Sequence, residues 1–414
     1  VNSSSPARQP GFLQGITLLL PITMAVMGVS VLTTVIPLME EHFKSFPYHE
    51  YAVPILMTVP SLWILLFSPV AGWLADKFGR RNILIVAMLV YTVMGTMPTY
   101  LDNIYWIFLS RCGVGICESI VMTITTTMIS DYYKGHDREK WLAGQTAVAS
   151  MSALLIIPLG GILGSELGWR GPFFLYAYSL ILVVGIVLFT WEPEKSDHVN
   201  DSAAAAADAI YHRIPWVRII SLCALTLIGA ISFYSIITQN GNALSALGVK
   251  DPAKIGLYTD LCSIGVPVGS FLYSRFSTRL HIGTLVFVDF LLIGLGFWFM
   301  GHADSPAQYT AWAFVNQIGC GMVLPTMLVW TTRGLAYEIR GLGNGIWQGS
   351  FAIGQFATAL ILPYLTGQLG GLGGAFKVVG SVALITALAA LISKQIWGHR
   401  AFKPLPPNGQ VTGH

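Results

Sequence analysis

Residues 72–81, Gly72-Trp-Leu-Ala-Asp76-Lys-Phe-Gly79-Arg80-Arg81, form a short charged island between two apolar runs, 51 to 75 and 82 to 101. Each run has about the 20 residues a helix needs to cross a bilayer, so the island reads as the turn between two membrane spans. An echo of it lies further along the chain. Residues 73–81 (WLADKFGRR) align with residues 271–279 (FLYSRFSTR), pairing Leu74 with Leu272, Phe78 with Phe276 and Arg81 with Arg279. GWRGPF at 168–173 is echoed in the same way by GLGGAF at 371–376. Two related halves are therefore expected, a plan that in transporters places the substrate site between the halves near the bilayer midplane.

Composition agrees with this. Of 414 residues, 54% are hydrophobic and 10% charged, against about 25% charged in soluble domains, which excludes a soluble globular protein. A net charge of +3 is too small and dispersed for a nucleic-acid surface, so the expected partners are lipids, small solutes and protons. The five cysteines, Cys112, Cys117, Cys223, Cys262 and Cys320, lie in apolar runs without metal-ligand spacing and read as reduced packing residues. The apolar run from Phe12 is too long for a cleavable signal and is expected to stay in the membrane.

Dividing the chain at its charged and Gly/Pro-rich breaks gives twelve spans. Six run approximately 12 to 37, 51 to 75, 82 to 101, 104 to 130, 141 to 166 and 171 to 191; six more run 216 to 247, 255 to 274, 281 to 301, 307 to 332, 342 to 369 and 373 to 397. The expected organisation is an all-α membrane protein: a six-helix bundle over 1–191, a linker over 192–215, a second bundle over 216–397 and a tail over 398–414. Positive loops are retained on the cytoplasmic side. With the N-terminus inside, seventeen of the 23 Lys and Arg residues fall on that side and five on the other, and Arg111 lies within a span. Both termini and the linker are expected to be cytoplasmic, and the short loops point to a bacterial inner membrane.

The 72–81 turn resembles the signature loop of the major facilitator superfamily. Arg111-x-x-x-Gly115 on the fourth span resembles a second pattern of the same family. The resemblance implies two pseudo-symmetric six-helix bundles working by alternating access. It also implies a cytoplasmic latch in which Gly72 and Gly79 shape the turn, Asp76 faces the start of the eleventh helix near Gly341 to Asn344, and Arg80 and Arg81 pair with Asp131. The second half lacks the Asp and Gly of the pattern, having Ser274 and Ser277.

Ionisable groups inside a membrane are costly and usually mark an ion or substrate path. Within the spans these are Arg111, Glu118, Asp260 and Asp289. Arg111 and Glu118 are seven residues apart, hence two turns and about 10.5 Å apart on one helix face. Glu118 is expected to carry a coupling proton, with Arg111 tuning it or binding an anionic substrate; the bland alternative is a buried structural pair. Asp260 is a weaker coupling candidate, and Asp289 reads as structural. In the family fold, spans one, four, seven and ten line the cavity, to which the eleventh contributes. That places Thr34, Tyr234, Gln239, Asn240, Asn316, Trp347 and Gln348, with Arg111 and Glu118, as candidate substrate-binding residues. The mixed polar and apolar set suits an amphipathic organic molecule better than a sugar phosphate.

Direction is suggested by Pro158-Leu-Gly160-Gly161 with Gly164, which resembles the glycine and proline motif of drug:proton antiporters, although Ile157 stands where that pattern has Gly. GWRGPF is similar to bacterial efflux permeases, whereas the spacing of Arg111 and Glu118 is also similar to spinster-like and organic-anion:proton symporters. A proton-coupled exporter is the leading expectation, with a symporter or facilitator of an organic anion or lipid-like solute as the alternative. No enzyme constellation, metal set or nucleotide-binding loop is found, so an enzyme is not expected, no cofactor is expected beyond a proton gradient, and a monomer is expected.

Overall fold

The computed structural model describes residues 10–193, 216–277, 279–333 and 340–397; among these the regular structure is helical throughout. Eleven stretches are long and apolar enough to cross a membrane. One of them, Gly135–Phe189, has 55 residues, which at 1.5 Å per residue is more than twice the hydrocarbon thickness. It breaks at Gly168, whose φ of +69° suits glycine, and so supplies two crossings. The protein is an all-α membrane protein with twelve spans.

We label them α1 (Phe12–Ser30), α2 (His49–Phe78), α3 (Arg80–Thr96), α4 (Ile104–Tyr132), α5 (Gly135–Leu167), α6 (Ser179–Phe189), α7 (Trp216–Ala246), α8 (Pro252–Phe276), α9 (Ile282–Met300), α10 (Pro306–Arg333), α11 (Arg340–Gln368) and α12 (Leu372–Trp397). A 3₁₀ segment, Gly168–Tyr178, leads into α6. The first crossing departs from the single span expected over 12 to 37. α1 is broken at Pro21, which has no N–H to donate, and the chain becomes helical again only over Ile36–His42. Pro54, Pro60 and Pro69 lie inside α2 without ending it; membrane helices tolerate proline where neighbours satisfy the freed carbonyls.

The chain divides into two compact units. One is Val1–Ser196 with Ile237–Asp260; the other is Asp197–Ile236 with Leu261–His414. The outer part of α7 and the start of α8, expected in a second bundle over 216–397, thus pack with the first half. The expected linker over 192–215 and tail over 398–414 lie almost wholly outside the described residues.

Within the first unit, glycines let helices touch. A side chain at Gly115 would overlap the Pro60 carbonyl on α2, and one at Gly95 would overlap the Tyr176 ring. In the second unit α9 is wedged between two helices in the same way: Gly296 lies on Asn316, Gly319 on the Asp289 carbonyl, and Gly294 on α12 beside Gly380. Small residues at helix contacts replace the hydrophobic driving force that lipid cannot supply. Long apolar side chains such as Leu155, Ile181, Leu188 and Ile385 remain outside the packing, where lipid would cover them.

Candidate functional site

The middle of α4 carries Arg111 and Glu118, both buried. The Arg111 guanidinium is divided among three neighbours. Nε donates to the Leu56 carbonyl on α2 at 3.0 Å, one terminal nitrogen to the Tyr176 hydroxyl at 2.6 Å, and the other to the Gly28 carbonyl on α1. Tyr176 packs against Tyr91 with ring centroids 5.2 Å apart, and the Tyr91 hydroxyl donates to the Met24 carbonyl at 2.8 Å. Arg111 is therefore a clamp joining α1, α2, α4 and the segment before α6. Both backbone carbonyls it meets lie next to irregular or proline-containing stretches, where unpaired acceptors are to be expected.

Glu118 is placed differently. Oε1 has no hydrogen-bond partner among the described residues, and no ion pair joins Glu118 to Arg111. A side chain at Gly28 would overlap the carboxylate, so the glycine on α1 creates its space. Gly28 thus serves both residues, giving a carbonyl to Arg111 and room to Glu118. An unpaired buried carboxylate is costly when charged, and the Arg111 charge nearby offsets part of that cost. The site holds the two opposing influences that a reversible proton carrier needs.

At the end of α4 beside the 72–81 turn, Gly79 turns the chain with φ +90°. Arg80 pairs with Asp131 at the end of α4 and lies 3.5 Å from Asp76. Arg81 does not join it at Asp131; its guanidinium donates instead to the Val187 carbonyl on α6 at 2.8 Å. The backbone N–H groups of Arg80 and Arg81, the open start of α3, donate to the Glu192 carboxylate at 2.6 and 2.9 Å. A carboxylate there caps two otherwise unpaired donors and faces the positive end of the helix dipole. Tyr132 stacks on Trp191 at 4.6 Å and exchanges hydrogen bonds with its backbone. The expected contact of Asp76 with Gly341 to Asn344 falls on side chains outside the described set. Around Gly72, nothing described comes within 4 Å of where a Cβ would sit.

At the opposite end, the proline and glycine motif of α5 forms part of a seam. A side chain at Gly160 would overlap the Val31 carbonyl, one at Gly161 the Pro252 carbonyl, and one at Gly164 would meet Val35 and Pro252. On α7, Gly241 lies against the Thr33 carbonyl and the Pro37 ring. Ser165 donates to Asp251 at 2.6 Å, and Asn242 donates to Glu40 at 2.9 Å.

The other candidates are distributed. Thr34 is buried with its methyl toward Gly256 of α8, so it belongs to the seam. Asn240 donates to Thr259 at 2.6 Å, tying α7 to α8, and Gln239 accepts from Asn242 at 3.2 Å. In the second unit Asn316 donates to the Ile293 carbonyl at 3.0 Å and accepts from Cys320, which commits its amide to joining α9 and α10. Tyr234 and Trp347 both pack on Phe351, while Gln348 is exposed. Asp260 is partly buried, with Oδ1 unpartnered among the described residues. Four residues went unremarked in the sequence as parts of these sites: Gly28, Tyr176, Glu40 and Glu192. For Glu192 a signal existed, an acid immediately after a span and level with an uncapped helix start; the others take part only through long-range packing.

The family model described as Major Facilitator Superfamily matches residues 18–333. The quinolone resistance protein NorA of Staphylococcus aureus (strain MSSA476) is 22% identical over 381 residues, covering 89% of this chain and 93% of that protein. The bacillibactin exporter of Bacillus subtilis (strain 168) is 32% identical over 160 residues; that match spans 37% of this chain and 39% of the exporter. Among solved structures, a bacterial homologue of the human lysosomal transporter Spinster, in an inward-facing and occupied conformation, superposes with a TM-score of 0.74 at 15% identity, covering 92% of this chain and 96% of that one. The match over most of the chain, with the signature turn and twelve spans, places this protein in the Major Facilitator Superfamily as a membrane transporter and not an enzyme.

Proposed function

We propose that this transporter is a proton-coupled exporter of a small amphipathic organic molecule, residing in a bacterial inner membrane with both termini cytoplasmic and working as a monomer. The observation that carries the reading is Glu118, a fully buried acid on a cavity-lining helix with an unpartnered oxygen beside a glycine of α1. In this reading Glu118 takes a proton from the outside and releases it inside as the halves alternate, so that proton entry drives substrate exit. Arg111, already engaged with three acceptors, acts as a fixed cation that tunes Glu118 instead of gripping an anionic substrate. Asp260 remains a secondary coupling candidate. Export is supported by the names of the relatives, a quinolone resistance protein and a bacillibactin exporter, and by the α5 glycines.

The test uses proteoliposomes with a pH-sensitive dye inside and an imposed proton gradient, screened with amphipathic cations, neutral compounds and carboxylates. Substrate-dependent proton flux opposite to the substrate, lost in Glu118→Gln while substrate exchange persists, is the expected result. Flux in the same direction would identify a symporter, and transport indifferent to gradient and mutation would leave a facilitator.

A further inference from the structure

Glu40 sits in the helical turn Ile36–His42 that continues α1 beyond the apolar core, and it takes no part in the coupling site. Its Oε1 accepts from Asn242 at the outer end of α7 at 2.9 Å, and Asn242 is also held by Gln239. Around this bond the seam closes at backbone distance, with Gly241 against Thr33 and Pro37, and Gly161 and Gly164 against Pro252. Ser165 and Asp251 close its other side. Any opening of the transporter to the outside must part α1 from α7 here and release Glu40 into water. We infer that Glu40 and Asn242 form an external proton-binding site, separate from Glu118, that holds the outer seam shut when the outside is acidic.

The sign follows from linkage. Burial pushes the Glu40 carboxyl above its ordinary value of 4.5, and the Asn242 hydrogen bond draws it back only in part. Of the charged groups facing it, His49 lowers it slightly and Glu50 raises it, both from the start of α2; α7 presents only the neutral amides of Asn242 and Gln239, and Glu41 on its own turn is occupied by Lys44. With the seam open and Glu40 hydrated, the carboxyl returns toward its ordinary value. The closed form therefore binds the proton more tightly, and by linkage protons favour closure. Closure is fully favoured below the ordinary value and weakens as pH rises from there to the raised value of the closed form. Asn242 can still donate to the carbonyl oxygen of a protonated Glu40, more weakly than to the carboxylate, so the hydrogen bond survives protonation.

Spin labels at Ser45→Cys and Lys250→Cys, both exposed positions flanking the seam, would report its opening as an inter-label distance. The partly exposed Cys223 is replaced by Ser, and the protein is reconstituted in liposomes with internal pH fixed and external pH varied. The expected result is a short-distance population that grows as the outside is acidified. The response should persist in Glu118→Gln and in His49→Gln, and in Glu40→Gln the short population should prevail at every external pH. A seam insensitive to external pH, a response unchanged in Glu40→Gln, or a response abolished by Glu118→Gln would each overturn the proposal. The last outcome would assign the effect to the coupling site, whereas failure of the exporter reading would leave the distance response intact.

Discussion

The end of α4 beside the 72–81 turn and the middle of the same helix hold charge in opposite ways. At the end, Asp131 is paired with Arg80, and the start of α3 next to it is capped by Glu192. In the middle, Arg111 spends its donors on Leu56, Tyr176 and Gly28, leaving Glu118 buried with an oxygen that nothing described satisfies. Arg80, Arg81, Asp131 and Glu192 at the end each hold a partner whose separation would be needed for movement, which is what a latch requires. The middle keeps one charge fixed and one group free to gain or lose a proton, which is what coupling requires.

The largest effect that could break this comparison comes from Arg111→Ala. Removing the donor that ties four chain segments leaves the Leu56 and Gly28 carbonyls and the Tyr176 hydroxyl without it, about 1–3 kcal/mol for each group left unsatisfied, seen as lost folded protein in size-exclusion yield and a lower melting temperature. A well-folded Arg111→Ala variant would refute the clamp. Glu118→Gln should behave oppositely: it keeps its fold and melting temperature but loses proton coupling by at least tenfold in the flux assay. Gly28→Leu should damage both functions, because the new side chain meets Glu118 and shifts the carbonyl held by Arg111.

Smaller effects sharpen the contrast. Arg80→Ala should leave folding nearly intact, since the pair with Asp131 is only partly buried, but raise cytoplasmic accessibility of a cysteine probe at the α4 end. Glu192→Gln weakens the charge-assisted cap of α3, and loss of such a cap costs about 1 kcal/mol, a shift of a few degrees in melting temperature. Asp289→Asn is expected to leave coupling unchanged. Asp289 is as buried as Glu118, but α9 is wedged between α10 and α12, Thr326 of α10 interacts with its carboxyl, and no charged side chain acts on it as Arg111 acts on Glu118.

Much of this was legible in the chain because membrane insertion is a local property. An apolar run long enough to cross and a charged turn that must stay wet are each written in a few neighbouring residues, which is why the spans, the 72–81 turn and the placement of Glu118 inside a span could be read directly. Some local signals misled. The first crossing, read as one span over 12 to 37, breaks at Pro21 and again before Ile36, whereas the break at Gly168 falls where the fifth and sixth spans were divided. The polar residues of α7 and α10 suggested a cavity by type alone, yet Asn240 and Asn316 are spent on helix contacts, since an amide has the same composition whether it meets a substrate or a neighbouring backbone.

The sequence by itself determined the class, the number of crossings and the presence of an arginine and a glutamate on one face of α4. Only the tertiary structure decided their division of labour. Leu56, Tyr176 and Gly28 come from three separate segments, and whether a buried charge is satisfied depends on which distant acceptors the packing brings within about 3 Å. The same reason hid Glu192, which reads as the first residue of a linker until the fold carries it to the start of α3, and Glu40, whose partner on α7 is supplied by the later half of the chain.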